Sequence, residues 1–437
     1  MSINKHSNPI IRGQVDLFSL PPTDTTIESS VYAEYKPIVN IQDTTSKIDF
    51  RIIGNSNQYL DLFDSFLYLK VKVVSSDGSN LPDDVEVSTA NLFLHSLFSQ
   101  CDVSLNDNNV SSSNNCYMYK AYLETLLSFG KEYLHSQGPC SLFYQDLNGG
   151  SLDKHNAGYV ARKKHIAKSA PVELIDKLRI DLAAQYRYIL NDTNLGISLT
   201  RTPDRFCLLY THSGSSSDPL INPVVKFLDA SLFIRKHTLF PSLTLSHQKL
   251  LDSGHNAQYP IRKCETKFFT IPQGNQSFVE ENVFMGTIPN RIVIALVPNS
   301  SFNGTYDSNP YVFSHFNLNH LSVSINNFAL PIKALNLDFN NNQYLLAYYL
   351  MLSGLGISGK DHGVAIDRTK FADGNTIFAF DINQSEGVDS VLHLEKNGSV
   401  RVELNFSSAL SQAINCIVYS EHQAIIEIDK YRRSVLI

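Results

Sequence analysis

The chain has no tryptophan, so its aromatic content, 11% of residues, is phenylalanine and tyrosine alone. It also has no CxxC pair. Its six cysteines, Cys101, Cys116, Cys140, Cys207, Cys264 and Cys416, lie far apart, several within apolar strand patterns where a free thiol behaves as a small hydrophobe. No run approaches the roughly 18 apolar residues that a membrane span requires. The N-terminal stretch MSINKHSNPIIRG lacks the apolar core of a signal peptide. These absences predict a soluble, reduced protein, made inside a cell and not secreted. Charged residues are 18% of the chain and the net charge is −6, which gives no reason to expect nucleic-acid affinity from the surface as a whole.

Signatures of catalysis are missing too: there is no GxSxG, no HExxH and no P-loop. Gly354-Leu-Gly356-Ile-Ser-Gly359 matches GxGxxG, but a dinucleotide site needs a strand before the glycines and a helix after them. Here an apolar helical stretch precedes and a polar loop follows, so the glycines read as a helix terminus. His315 and His320 fall on opposite faces of a strand, with no third metal ligand nearby. The carboxylate pairs Asp83-Asp84 and Glu280-Glu281 sit in turns. No catalytic, cofactor or metal site is expected.

What the 437 residues do offer is short alternating segments separated by turns. Leu67, Leu69, Val71 and Val73 alternate with Tyr68, Lys70 and Lys72, as a half-buried strand requires. Val400, Val402, Leu404 and Phe406 do the same, and Ile292 to Val297 is apolar throughout, the pattern of a strand buried on both faces. Leu178, Ile180 and Leu182 also alternate. Residues 91–130 read as a strand, a polar turn and an amphipathic helix, with Asn115 as N-cap and Gly130 closing it. That unit recurs: His95, Val103, Ser104 and Asn106 match His315, Val323, Ser324 and Asn326 at one offset (315 − 95 = 220). Gly54-Asn55 echoes Gly274-Asn275, and Ile197 to Leu199 echoes Ile417 to Tyr419, at the same offset. An Asn-Asn pair and a tyrosine precede each helix. The second helix, from Tyr344 to Leu352, is apolar nearly all round, which places it in the interior.

Duplication of a mostly β unit predicts two tandem eight-stranded jelly-roll sandwiches, all-β with a few helices. The divisions expected are an extended arm over residues 1–45, a first jelly roll over 46–240 and a second over 241–437. The arm reads as a clamp between subunits that orders on assembly.

Residues 59–73 (YLDLFDSFLYLKVKV), 91–106 (NLFLHSLFSQCDVSLN), 119–132 (YKAYLETLLSFGKE), 259–278 (YPIRKCETKFFTIPQGNQSF) and 414–432 (INCIVYSEHQAIIEIDKYR) resemble the major capsid, or hexon, protein of Polinton/Maverick elements and adintoviruses. The likeness runs in order over nearly the whole chain. It implies a double jelly-roll virion protein that assembles as a homotrimer, the capsomer of an icosahedral capsid. It also implies partners: neighbouring capsomers and a penton protein at the five-fold vertices. One basic run, Arg162, Lys163, Lys164 and Lys168, is the candidate surface for packaged double-stranded DNA, bound without sequence preference. The competing reading is a tandem β-sandwich module that recognises carbohydrate or a protein ligand.

Overall fold

The computed structural model describes residues 13–41, 45–82, 85–211, 221–326, 328–382 and 392–436. Asp83-Asp84 and the loop at 213–219 lie outside them. The strands in chain order are β1 (Ile27–Tyr35), β2 (Lys47–Ile52), β3 (Gln58–Ser75), β4 (Val87–Thr89), β5 (Phe98–Leu105), β6 (Asn108–Ser112), β7 (Val172–Asp176), β8 (Leu195–Arg201), β9 (Leu208–Tyr210) and β10 (Pro223–Leu239). The second half adds β11 (Ala257–Ile271), β12 (Ser277–Thr287), β13 (Arg291–Pro298), β14 (Leu318–Ile325), β15 (Phe328–Asn336), β16 (Ile377–Asp381), β17 (Asn397–Phe406), β18 (Ile414–Ile428) and β19 (Ser434–Leu436).

Two four-stranded antiparallel sheets face each other in the first half, in the orders β1-β10-β3-β7 and β2-β8-β5-β6. The second half repeats the arrangement as β11-β18-β13-β16 and β12-β17-β14-β15, with β19 added beside β18. Leaving aside the short β4–β9 pair, each half takes its first, eighth, third and sixth strands into one sheet and its second, seventh, fourth and fifth into the other. That is the jelly-roll order, so the fold is two jelly rolls. Alternation in the strands follows from it: in β3, Leu67, Leu69, Val71 and Val73 are 0% exposed while the residues between them are half-buried.

Several details differ from expectation. Residues 27–35 are not a free arm: β1 pairs along β10 as the edge strand of the first roll. Its face carries Glu28, Ser29, Ser30, Val31 and Tyr32, exposed in succession, so no period of two appears. Leu178, Ile180 and Leu182 are buried but form no strand, because the chain turns into a 3-10 turn at Asp181–Ala184. Asn115 does not cap the helix Tyr117–Ser128. Asn114 and Asn115 stand at φ 49° and 57°, the left-handed region that asparagine tolerates, and swing the chain into the helix. Gly130, at φ −87°, begins the next helix instead of closing this one.

The repeat also proves narrower than its matches. β5 and β14 are true counterparts, offset by 220 at both ends (318 − 98 and 325 − 105). Gly54, however, follows the second strand of its roll and Gly274 the first, while Ile197 lies in a seventh strand and Ile417 in an eighth. The shared Asn106 and Asn326 have a physical cause. Leu105 pairs with Asn108 across a two-residue turn, with Asn106 and Asp107 at φ 47° and 69°. Such a hairpin needs positive φ at both central residues. Asn326, at φ 48°, starts the matching turn between β14 and β15.

Asn106 has a second task, since its Nδ2 donates to Arg432 O at 2.5 Å in the second roll. Asn106→Gly keeps the turn and removes that bond together with the one Asn194 N donates to Asn106 Oδ1 at 2.8 Å, and is expected to cost about 1–3 kcal/mol. Asn106→Val adds the left-handed strain of a further ~1–2 kcal/mol. Thermal melting of both variants separates the two contributions.

Candidate functional site

The helix Tyr117–Ser128, in the connection between the fifth and sixth strands of the first roll, is where the rolls meet. Its sequence YMYKAYLETLLS carries apolar residues on every side, and all are buried. One side joins its own roll, where the Tyr117 hydroxyl lies 2.8 Å from His95 Nδ1. The opposite side meets the second roll. Tyr119 stacks on Phe302 with centroids 5.2 Å apart and donates to Pro310 O, and Tyr122 stacks on Tyr311 at 4.0 Å. Gly304 allows this approach, because a Cβ there would stand 2.9 Å from Phe206 N of the first roll.

Within this apolar contact lies a cluster of charges, with Lys120 and Asp181 at its buried end. Lys120 Nζ is 2.6 Å from Asp181 and 3.9 Å from Glu124, and the lysine is 4% exposed. Burial works against its charge, but Asp181 and Glu124 hold the ammonium protonated, well above its ordinary range. Burial pushes the Glu124 carboxyl up, against the pull of Lys120. From the second roll come Cys264, Tyr419 and Glu421. The Tyr419 hydroxyl is 3.3 Å from Glu124, 3.1 Å from Cys264 Sγ and 3.1 Å from Glu421. Arg291 and Arg262 pair Glu421 at 3.2 Å and 3.6 Å.

Among the described residues, Glu124, Asp181 and Cys264 are the one set of three potential metal ligands gathered within 4.8 Å. The Lys120 ammonium already neutralises that set, and burial pushes the Cys264 thiol up, away from the thiolate a metal needs. Sequence reading passed over the cluster. The available signal was Lys120 and Glu124, a charged pair at i, i+4 within an otherwise apolar face.

His95 is fully buried, with Nε2 3.2 Å from Asp176 and Arg179 beside the same carboxylate at 3.5 Å. His315 instead lies flat on Phe339 at 4.2 Å, and its Nδ1 accepts from Asn317 N. The two histidines are therefore structural in different ways. His393-Leu394-Glu395 has a His-x-Glu spacing that the sequence reading missed. Among the described residues it belongs to no three-ligand group.

The glycine run behaves as a helix terminus. The helix Leu345–Gly354 ends at Gly354, whose missing Cβ lets it sit on the Ala379 carbonyl of β16, and Gly356 and Gly359 turn with φ 69° and 73°. The helix itself is not interior. Ala347, Met351 and Gly354 are buried against the roll, while Leu345, Leu346 and Tyr349 are 52%, 55% and 55% exposed.

The basic run divides in the same way. Arg162 is 0% exposed, with its guanidinium spent on Thr89 O, Tyr144 O and Asp146 at 2.8–3.0 Å, so it cannot reach a phosphate. Its place on the inner face of the helix Ala157–Ile166 explains this. Lys163 pairs with Glu86 at 2.7 Å. Lys164 and Lys168 are exposed. A cleft of about 450 Å³ between the rolls is lined by residues 149–153, Ser301 and residues 307–309 among others, and among the described residues no aromatic ring lines it for a sugar to stack on.

Two outcomes follow. Lys120→Met strands Asp181 in a dry place and is expected to cost about 3–5 kcal/mol, read as a lower denaturation midpoint. Burial holds the His95 imidazole below its ordinary 6.5, so the unfolded chain takes up its proton first as pH falls. Stability from this group is full above about pH 6.5 and is lost as pH falls towards the folded value. Melting temperatures of wild type and His95→Gln between pH 8 and 5 should converge on the acid side.

No family model matches this sequence. The chain is 23% identical over 433 residues to an uncharacterized protein of Caenorhabditis elegans, covering 95% of this chain and 99% of that one. Among solved structures it is similar to a chain of the Sputnik virophage, with a TM-score of 0.63 and 10% identity over 100% of this chain and 94% of that one. The Faustovirus major capsid protein gives 0.57 and 8% identity over 96% and 92%, and the mavirus major capsid protein 0.52 and 8% over 100% and 97%. These likenesses span both rolls and their junction, so the chain has the double jelly-roll fold of viral major capsid proteins.

Proposed function

We propose that this chain is a major capsid protein of the Polinton/Maverick and adintovirus kind. Three copies would form the pseudo-hexagonal capsomer of an icosahedral shell around double-stranded DNA. The observation that carries the reading is the repetition of one jelly-roll order in two rolls that share a buried contact. Three such chains present six similar sandwiches around a three-fold axis, a near-hexagonal tile obtained from a common closed symmetry. The sequence blocks quoted above support the particular family.

The role is structural, and the protein would reside in the virion. Its partners on this reading are itself, neighbouring capsomers and a penton protein at the five-fold vertices. The segment before β1, with Leu17, Phe18 and Leu20 at 77–98% exposure, is suited to reaching a neighbour. With Arg162 committed inside, any contact with packaged DNA through this surface falls to Lys163, Lys164 and Lys168.

Purified protein should sediment as a trimer of about 147 kDa, three times 49.0 kDa, with a hexagonal outline by negative-stain microscopy. A chain that stays monomeric at every salt and protein concentration would sink the reading.

A further inference from the structure

Within the chain, one helix-on-sheet contact joins the rolls. The helix Tyr117–Ser128 of the first roll lies on the outer face of the β11-β18-β13-β16 sheet of the second. There Leu123, Glu124 and Leu127 border Tyr419, Glu421 and Val293. The two rolls are built alike, so each side of this contact has a counterpart elsewhere in the molecule, and both counterparts are open.

The counterpart of the helix is Leu345–Gly354, in the same connection of the second roll, with Leu345, Leu346 and Tyr349 turned to solvent. The counterpart of the sheet is the outer face of β1-β10-β3-β7. Its side chains follow from the pairing: Phe233 is opposite Phe66, Ser231 opposite Tyr68, Tyr68 opposite Ile175 and Tyr32 opposite Arg235. Leu67 and Leu69, between them, point into the core at 0% exposure. Phe66 stacks on Phe233 at 5.0 Å and meets Tyr32 at 5.7 Å, which makes an aromatic row across three strands. Tyr32 is 53% and Ile175 41% exposed.

We infer that the Leu345–Gly354 helix of one copy docks on the Tyr32, Phe66 and Phe233 face of the next copy, repeating between chains the contact that joins the rolls within one. The inference rests on the trimeric reading above and names the surfaces that would hold the trimer together. In the single chain both surfaces stand open, Leu345, Leu346 and Tyr349 on one and Tyr32 and Ile175 on the other. A head-to-tail contact of this kind closes into a ring when its rotation permits. Tyr349 on the helix and Tyr32 on the sheet, both more than half exposed, are of the aromatic type enriched at interfaces.

The test compares wild type with Leu345→Asp/Leu346→Asp and, separately, Phe66→Asp by sedimentation, with circular dichroism as the fold control. Both variants are expected to drop threefold in mass, from trimer to monomer, with unchanged spectra. A second measurement removes the dependence on charged substitutions. In a Cys140→Ser background, which removes the one exposed native thiol, chains carrying Tyr349→Cys are mixed with chains carrying Phe66→Cys and oxidised. A cross-linked pair on a non-reducing gel is expected. Trimeric wild type with trimeric variants and no cross-link overturns the docking surface while leaving the trimer intact. Monomeric wild type overturns the trimer and this inference together.

Discussion

A lysine ammonium buried to 4% exposure must be answered by the protein, and much of the molecule's architecture follows from where Lys120 is answered. Asp181 and Glu124 belong to the same roll as the lysine, but strands of the second roll help to bury the site with Cys264 and Tyr419. The rolls therefore cannot slide past one another without wetting or unpairing a charge, which fixes their relative setting more sharply than apolar contact alone. Around it, Tyr119, Tyr122, Phe302 and Tyr311 supply area, and the ions supply register.

Comparison of the two helices shows what the second roll contributes. Both occupy the connection after the fifth strand and both are apolar on nearly every side. One is buried because the chain continues into another roll beside it. The other stands open, with Leu345, Leu346 and Tyr349 more than half exposed. A sequence apolar all round states that a helix will be covered, but not by which molecule, and for that reason Leu345, Leu346 and Tyr349 were assigned to the interior.

The same distinction separates what could be read in the residues from what could not. Strands with one face in the core announce themselves by alternation, as β3 and β17 do, and β13 by its unbroken apolar run. β1 is an edge strand with successive exposed residues and leaves no such trace. The 220-residue offset holds for β5 and β14, where strand and hairpin lengths agree. It fails elsewhere because the rolls differ in segment length: β2 has 6 residues and its counterpart β12 has 11. Arg162 was misjudged because a basic residue among lysines looks solvated until its backbone acceptors are known. The charged core around Lys120 draws its members from positions 120 to 421 and becomes visible only once the chain is folded.

One small feature ties the first roll to the last strand of the second. The first roll's β5–β6 turn is clasped by the stretch around β19: Asn106 and Asn108 donate to Arg432 O and Ser434 O, and Ser434 Oγ donates to Leu105 O, across a chain separation of 326 residues or more. The first roll emerges during synthesis long before its clasp exists. Contacts so distant in sequence carry a large loop-closure cost and are slow to form. The clasp thus makes the closing of the first roll's corner depend on a segment made 326 residues or more later in the chain.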